Sequence, residues 1–374
     1  MHKILLIFGT RPEAIKLCPV IRSLREHPNK FDVRACVTAQ HREMLDQVLE
    51  AFQVKPDHDL DLMLPGQTLF QSTSRILAGL EPVLRAEKPA MVIVQGDTTT
   101  TLCGALAAFY SGIPVAHVEA GLRTHDMRQP FPEEMNRVLA SRLAALHFAA
   151  TEMAAHNLRE EGVAADSIHV TGNTGIDAVL FVRDGLKQGT LRGREWPELD
   201  ASKKLIVVTA HRRESFGDGF ARICRALAKI ADRGDVQLVY PVHPNPNVQD
   251  PVQRYLAGHA NVRLIEPLSY VPFVDLMRRA YLLITDSGGI QEEGPSLGKP
   301  ILVLREKTER PEAVTAGTVK LVGTDEDRIA GEAAVLLDDR AAYEKMSRVH
   351  NPYGDGRASV RIAGLIHSFL IANS

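Results

Sequence analysis

The sequence predicts an α/β protein built from two doubly wound, Rossmann-like domains facing each other across a cleft. Two observations carry this. Short apolar runs alternate with amphipathic stretches almost throughout the 374 residues, which is the pattern of parallel strands joined by crossover helices. The alternation dissolves once, around residues 184–204, where DGLKQGTLRGREWPELDASKK is polar and carries Gly and Pro. The length also has room for two domains of ordinary size. The first domain is expected over 1–175, joined by a terminal helix at 356–374, and the second over 176–355.

In the first half, strands are expected at 3–8, 32–38, 91–95, 114–119 and 146–150. Helices fit 12–26, 41–52, 68–87, 99–111, 133–144 and 152–161. A second alternation places strands near 205–209, 236–240, 262–265, 282–284, 300–304 and 319–322, with helices between them. An amphipathic helix over about 356–372 follows the turn-rich Asn351-Pro352-Tyr353-Gly354-Asp355-Gly356. In doubly wound sheets ligands bind outside the carboxyl ends of the strands, so the residues just after each strand are the ones to weigh.

Composition excludes several classes. The 44 basic and 46 acidic residues leave a net charge of −2, so no electrostatic footprint for nucleic acid or an anionic membrane is present. Cys18, Cys36, Cys103 and Cys224 are scattered with no C-x-x-C pair, which fits a reducing cytosol and neither a disulfide framework nor a zinc site. The 14 histidines show no metal-binding spacing, so no metal is expected. The opening MHKILLIFGT is too short in its apolar run for a signal segment and reads as a buried first strand. No stretch approaches the roughly 20 apolar residues of a membrane span.

The most telling stretch is LLITDSGGIQEEGPSLGKPILVLREKTERPE, residues 282–312. An apolar strand runs into Ser287-Gly288-Gly289 and then a helix starting near Ile290. Glycines after a strand let backbone amides approach an anion, and a helix N-terminus adds partial positive charge. Glu292 and Glu293 are expected in the first helical turn, placed to take sugar hydroxyls. Arg310 follows the next strand, at the rim of the same sheet. These features suit a nucleoside diphosphate; Ser-Gly-Gly alone reads equally as a capped turn.

After the first strand, Arg11 and Lys16 flank Pro12 at a helix start and present two cations where anions are favoured; each also reads as solvated charge. Asp97 follows the 91–95 strand and is open to two readings, N-cap or functional carboxylate. Glu119 ends an apolar strand, where burying a carboxylate without purpose is costly, so its reading is functional. Glu133 and Glu134 open a helix and diverge by about 100°, so only one faces the cleft. Glu133 shares a face with Arg137, and local sequence favours a dipole-stabilised helix start with a surface ion pair. In the second half, His211, Arg212 and Arg213 follow a strand and suit a diphosphate, with His211 titrating near neutrality. His243, flanked by prolines, reads more as structural.

With FGTRPEAIK, VQGDTTTT, HVEAGLRT, FPEEMNR, HRRESFG, TDSGGIQEE, TERPEAVTAGT and a final NPYGDG in this order, the chain resembles the non-hydrolysing UDP-N-acetylglucosamine 2-epimerases over essentially its whole length. The resemblance implies a glycosyltransferase-B-like fold, with the C-terminal helix packing back on the first domain. It also implies a cytoplasmic homodimer that interconverts UDP-GlcNAc and UDP-ManNAc for bacterial surface polysaccharide, with no cofactor. By the same resemblance Asp97, Glu119 and Glu133 are acid/base candidates, in place of the local reading of Glu133, and His211 is a further catalytic or diphosphate contact. Arg11, Lys16, Arg137, Ser287, Gly288, Gly289, Glu293 and Arg310 would hold the nucleotide. Glu293 would take the ribose, and Phe273 with the backbone near Leu268 would flank uracil. UDP-GlcNAc at a second site activates some members, and Gln40, His41, Arg212 and His243 would contribute here.

The C2 hydrogen has no adjacent carbonyl, and no G-x-G-x-x-G fingerprint suggests transient oxidation. The route left is elimination of UDP to a 2-acetamidoglucal and its return. The alternatives are a hydrolysing epimerase, which often carries a fused sugar kinase domain, a retaining glycosyltransferase, and a catalytically silent sugar-nucleotide binder.

Overall fold

The computed structural model describes residues 1–38, 42–64 and 66–373. They form two compact units, 1–178 with 353–374, and 179–352. The first holds β1 (His2–Phe8), β2 (Phe31–Val37), β3 (His58–Asp59), β4 (Met91–Gln95), β5 (Val115–Ala120), β6 (Leu146–Ala149) and β7 (Ile168–Val170). Their order across the sheet is β3-β2-β1-β4-β5-β6-β7, and every neighbouring pair is parallel. The second holds β8 (Lys204–Thr209), β9 (Val236–Pro241), β10 (Val262–Ile265), β11 (Leu282–Thr285), β12 (Ile301–Val303) and β13 (Val319–Leu321). Its order is β10-β9-β8-β11-β12-β13, again parallel throughout.

Strand order reverses at β1/β4 in the first sheet and at β8/β11 in the second. Those switch points are where an open parallel sheet leaves a crevice beyond its carboxyl ends. The segments after β1, β4, β8 and β11 therefore hold the privileged positions. The reason the strands were legible is burial on both faces. Ile4, Leu5, Leu6, Ile7 and Phe8 are all fully buried, so β1 reads as a continuous apolar run rather than an alternation.

Local chemistry sets the helix starts. Thr10 caps the helix Arg11–Arg25 through a capping box, with Glu13 accepting in return from the Thr10 amide at 2.8 Å. Thr98 caps Thr99–Tyr110, its hydroxyl accepting from the Thr101 amide at 3.1 Å. The terminal helix Ala358–Ala372 belongs to the first unit and packs on Arg11–Arg25. Asp177 pins its start, accepting from the amides of Ala358 at 3.2 Å and Ser359 at 2.8 Å.

Among the described residues, five strands and α-helices lie outside those expected above: β3, β7 and the helices Thr174–Gln188, Glu326–Asp338 and Arg340–Ser347. β3 has two residues and β7 three, too few to show any period. The helix Thr174–Gln188 runs into the polar, Gly- and Pro-bearing segment read as a boundary. Among the described residues no helix is long and apolar enough to cross a membrane.

Candidate active site

At the tip of β4, Gly96 adopts φ +71° and turns the chain into Asp97. The cap of the next helix is Thr98, so Asp97 is not the N-cap that its position allowed. Its carboxylate instead takes an ion pair from Arg137 Nη2 at 2.9 Å, and its carbonyl accepts from Asn136 Nδ2 at 2.9 Å. Arg137 is nearly buried and also lies 3.4 Å from Glu134 Oε2. Glu134 is the inward member of the glutamate pair: its other oxygen accepts from the Thr124 and His125 amides, each at 3.0 Å. Glu133 is half-buried at the start of the helix Glu133–Leu143. Among the described residues it makes no ion pair with Arg137, so the surface pair expected from the i,i+4 spacing does not form.

Glu119 sits on the adjacent tip, in β5. Its φ of +62° lies in the left-handed region, a strained conformation for a residue with a side chain. The β5/β6 register shifts between Val118 and Ala120, so this bulge re-aims the glutamate. Lys16 Nζ stands 2.5 Å from Glu119 Oε1, and Gln95 Nε2 donates to Oε2. The resemblance gives Lys16 to the nucleotide, and in the structure its ammonium pairs with the Glu119 carboxylate. Arg11, at the start of the same helix, has Nη1 3.8 Å from Met44 Sδ.

Two buried groups brace these tips. Glu13 accepts from the Gly9 and Thr10 amides and from the hydroxyls of Thr98 at 2.8 Å and Thr101 at 3.3 Å. It thus ties the loop after β1 to the loop after β4; burial raises its carboxyl, opposed by these bonds. His117 Nε2 donates to the Gly96 carbonyl at 2.7 Å, and burial pushes its imidazole down to about 3.

In the second unit, Asp286 is buried at the tip of β11 and accepts from the amides of His211 at 2.6 Å and Arg212 at 2.7 Å. His211 Nδ1 is 3.5 Å from Asp286 Oδ1. The ring stacks on the exposed His243, centroids 5.3 Å apart and 10° from parallel. Partial burial lowers the His211 imidazole; Asp286 opposes this, while His243 and Arg212 add to it.

The helix after β11 is Gly288–Glu293, with Ser287 as N-cap. It starts two residues earlier than expected, so Glu292 and Glu293 lie in its last turn, not its first. Arg310 compensates, its Nε donating to Glu292 Oε1 at 2.9 Å while its guanidinium lies against Gly288. Nearly buried Arg305 joins Glu214 at 2.6 Å to Glu309 at 2.9 Å, linking the loops that carry His211 and Arg310. Arg305 holds the Glu309 carboxyl down at about 2. Leu268 and Phe273 are half-buried, just before and within Tyr270–Arg279.

The structure brings Lys16 to Glu119 and Arg137 to Asp97 in one unit, and gathers His211, His243 and Arg212 about Asp286 in the other, where Arg310 lies on Gly288. Gln40 and His41 lie outside the described residues. Sequence reasoning gave no role to Glu13, Gln95, Asp286 or Arg305. Glu13 had a visible signal, the Thr-x-x-Glu capping box; Gln95 had a weaker one, a lone amide ending the apolar MVIVQ. Among the described residues, no three or more His, Cys, Asp or Glu side chains gather to hold a metal ion.

Residues 22–367 match the family model for UDP-N-acetylglucosamine 2-epimerase. The chain is 57% identical over 375 residues to the UDP-N-acetylglucosamine 2-epimerase of Salmonella typhimurium, with 99% of this chain and 100% of that one covered. Among solved structures it resembles UDP-GlcNAc 2-epimerase from Neisseria meningitidis bound to UDP-GlcNAc, with a TM-score of 0.90, 49% identity, and coverage of 98% and 100%. A glycotransferase of kitacinnamycin, 14% identical with a TM-score of 0.64 and 99% of each chain covered, shares the fold alone. The family model over most of the chain and the full-length similarity agree: this chain belongs to the UDP-N-acetylglucosamine 2-epimerase family.

Proposed function

We propose that the protein reversibly epimerises C2 of UDP-GlcNAc to give UDP-ManNAc, without net hydrolysis, through anti elimination and re-addition of UDP. The observation that carries this reading is a pair of carboxylates, Asp97 and Glu119, on neighbouring parallel strand tips, each held by its own cation. One carboxylate takes the C2 proton. The C–H electrons form the C1=C2 double bond, and the C1–O pair leaves with UDP. The planar 2-acetamidoglucal then accepts a proton on the opposite face of C2 while a UDP oxygen returns to C1. No oxidant or reductant is consumed.

Asp97, Glu119 and Glu133 serve the proton transfers. Arg310, Ser287, Gly288, Gly289 and His211 hold the diphosphate, so that UDP is retained through the elimination. Arg11, Lys16 and Arg137 also hold the nucleotide, Glu293 takes the ribose, and Phe273 with the backbone at Leu268 flanks uracil. A homodimer in the cytoplasm, supplying ManNAc units for surface polysaccharide, belongs to the same reading. So does activation by UDP-GlcNAc at a second site near Arg212 and His243.

Proton NMR of UDP-GlcNAc with the purified protein in D2O tests it. UDP-ManNAc should grow in with deuterium at C2. Free ManNAc and UDP alone would make the protein a hydrolysing enzyme, and no change despite UDP binding would overturn epimerisation.

A further inference from the structure

We propose that Gln95 is a positioning residue for Glu119: its buried amide, with the Lys16 ammonium, fixes the orientation and charge of the carboxylate that exchanges a proton at C2. This rests on the proton-transfer reading above. Gln95 ends the otherwise apolar strand β4 and is 3% exposed. A buried primary amide is costly unless its hydrogen bonds are made, and an apolar side chain would fit this strand without that cost. What the amide does is specific: Nε2 donates to Glu119 Oε2.

The geometry leaves Gln95 few other options. Its main chain is pinned from below, where its carbonyl accepts from Thr101 Oγ1 at 2.6 Å. It pairs with Val118 across the β4/β5 ladder, and the left-handed backbone of Glu119, at the β5/β6 register shift, brings that carboxylate round to the amide. Glu119 thus has a different donor on each oxygen, Lys16 on Oε1 and Gln95 on Oε2. Both favour the ionised carboxylate, and together they hold a strained residue in one orientation. Glu119 keeps 15% of its side chain exposed, so it reaches the site while the amide behind it does not.

Among the described residues, the other charged groups of these tips are the Asp97–Arg137 pair, Glu134 beside Arg137, Lys16, and the buried Glu13, which accepts from Thr98 and Thr101. His117, bonded to the Gly96 carbonyl, stays neutral at working pH. The amide of Gln95 bonds Glu119 rather than any of these groups. Gln95 therefore differs from a core residue in one measurable respect: its loss changes the proton affinity of Glu119 and leaves the substrate contacts in place.

The test is the pH dependence of kcat and KM for C2 exchange in the full-length Gln95→Met and Gln95→Glu proteins. Removing one donor from a carboxylate should move the Glu119 limb of the kcat profile to higher pH by about one to two units, with KM little changed. Gln95→Glu sets a second carboxylate against Glu119. The pair then shares a proton, so this limb should move further up. In a Glu119→Gln background, Gln95→Met should cost nothing more. A loss of kcat with an unshifted profile, or additive losses in the double variant, would overturn the proposal while leaving epimerisation intact. If Gln95→Met does not fold, the near-isosteric Gln95→Glu carries the same readout. A wild-type protein that exchanges no C2 proton would overturn the functional reading and this proposal with it.

Discussion

The guanidinium of Arg310 fills the space that a side chain at residue 288 would need. A Cβ built on Gly288 would stand 2.6 Å from Arg310 Cζ and 2.9 Å from its Nε. The absence of a side chain at 288 lets Arg310 lie over the first turn of Gly288–Glu293 while bonding Glu292. Gly288→Ala must push the arginine away. The expected outcome is a loss of UDP affinity of about tenfold, or about 1.4 kcal/mol, read by calorimetry. Gly289→Ala is the comparison, since its Cβ would meet only Ser287 Oγ at 3.9 Å and should cost less. Equal losses in both would show that Arg310 is not the group displaced.

Arg137 holds two carboxylates of unequal burial, Asp97 at 30% side-chain exposure and Glu134 at 1%. Arg137→Met should therefore damage stability and activity through different partners. Glu134 keeps its two backbone amides but loses its cation, which should cost about 1–3 kcal/mol in urea unfolding, whereas the half-solvated Asp97 is screened. Adding Glu134→Gln should recover much of the stability but little of the rate, because Asp97 still lacks its cation. Recovery of both together would mean that Arg137 acts only as a fold element.

How much of this could be read beforehand depended on whether the determining contact was local. The parallel strands were legible because strands buried on both faces, such as Ile4–Phe8, are continuous apolar runs. β3 and β7 are too short to leave such a trace. At the site, the carboxylates at the tips of β4 and β5 stood out as strand-end residues, but their partners did not. Lys16 and Glu119 are 103 positions apart, and no periodicity links them. Arg137 had Glu133 within one helical turn, yet it pairs with Asp97 from another loop and with Glu134. The bulge that turns Glu119 inward is a register property of β5 against β6, invisible in either strand alone. Helix starts went wrong where glycine led: Gly288 and Gly289 looked like a loop before a helix and are its first two residues.

The thiols offer a test of the core. Cys18, Cys36, Cys103 and Cys224 are free and buried, and burial pushes each up to about 12. Since the thiolate is the reactive form, a disulfide reagent should label none of the 4 cysteines in the native protein near neutral pH. All should react after denaturation. Rapid labelling of one in the native state would place local opening in the helix or strand that carries it.

His117 predicts the shape of acid unfolding. The ring is fully buried, and that burial pushes its imidazole from 6.5 to about 3, opposed by the Gly96 bond and helped by His147, Arg123 and Arg137. In the unfolded chain the ring takes up its proton as pH falls through its ordinary value of about 6.5; the folded protein does not until about 3. Its contribution to stability is therefore complete above the first value and is lost progressively toward the second, at up to about 1.4 kcal/mol per pH unit. His117→Gln removes the titration but keeps an amide that can donate to the Gly96 carbonyl. Urea midpoints measured across that window should fall less steeply for the variant than for the wild type, even where the variant is the less stable of the two at neutral pH. Parallel slopes would mean that folded and unfolded His117 take their proton together, which a ring sealed beneath the β4 and β5 tips could do only if those tips open. Steeper loss in the wild type would instead tie acid sensitivity to the same histidine that anchors the carbonyl next to Asp97.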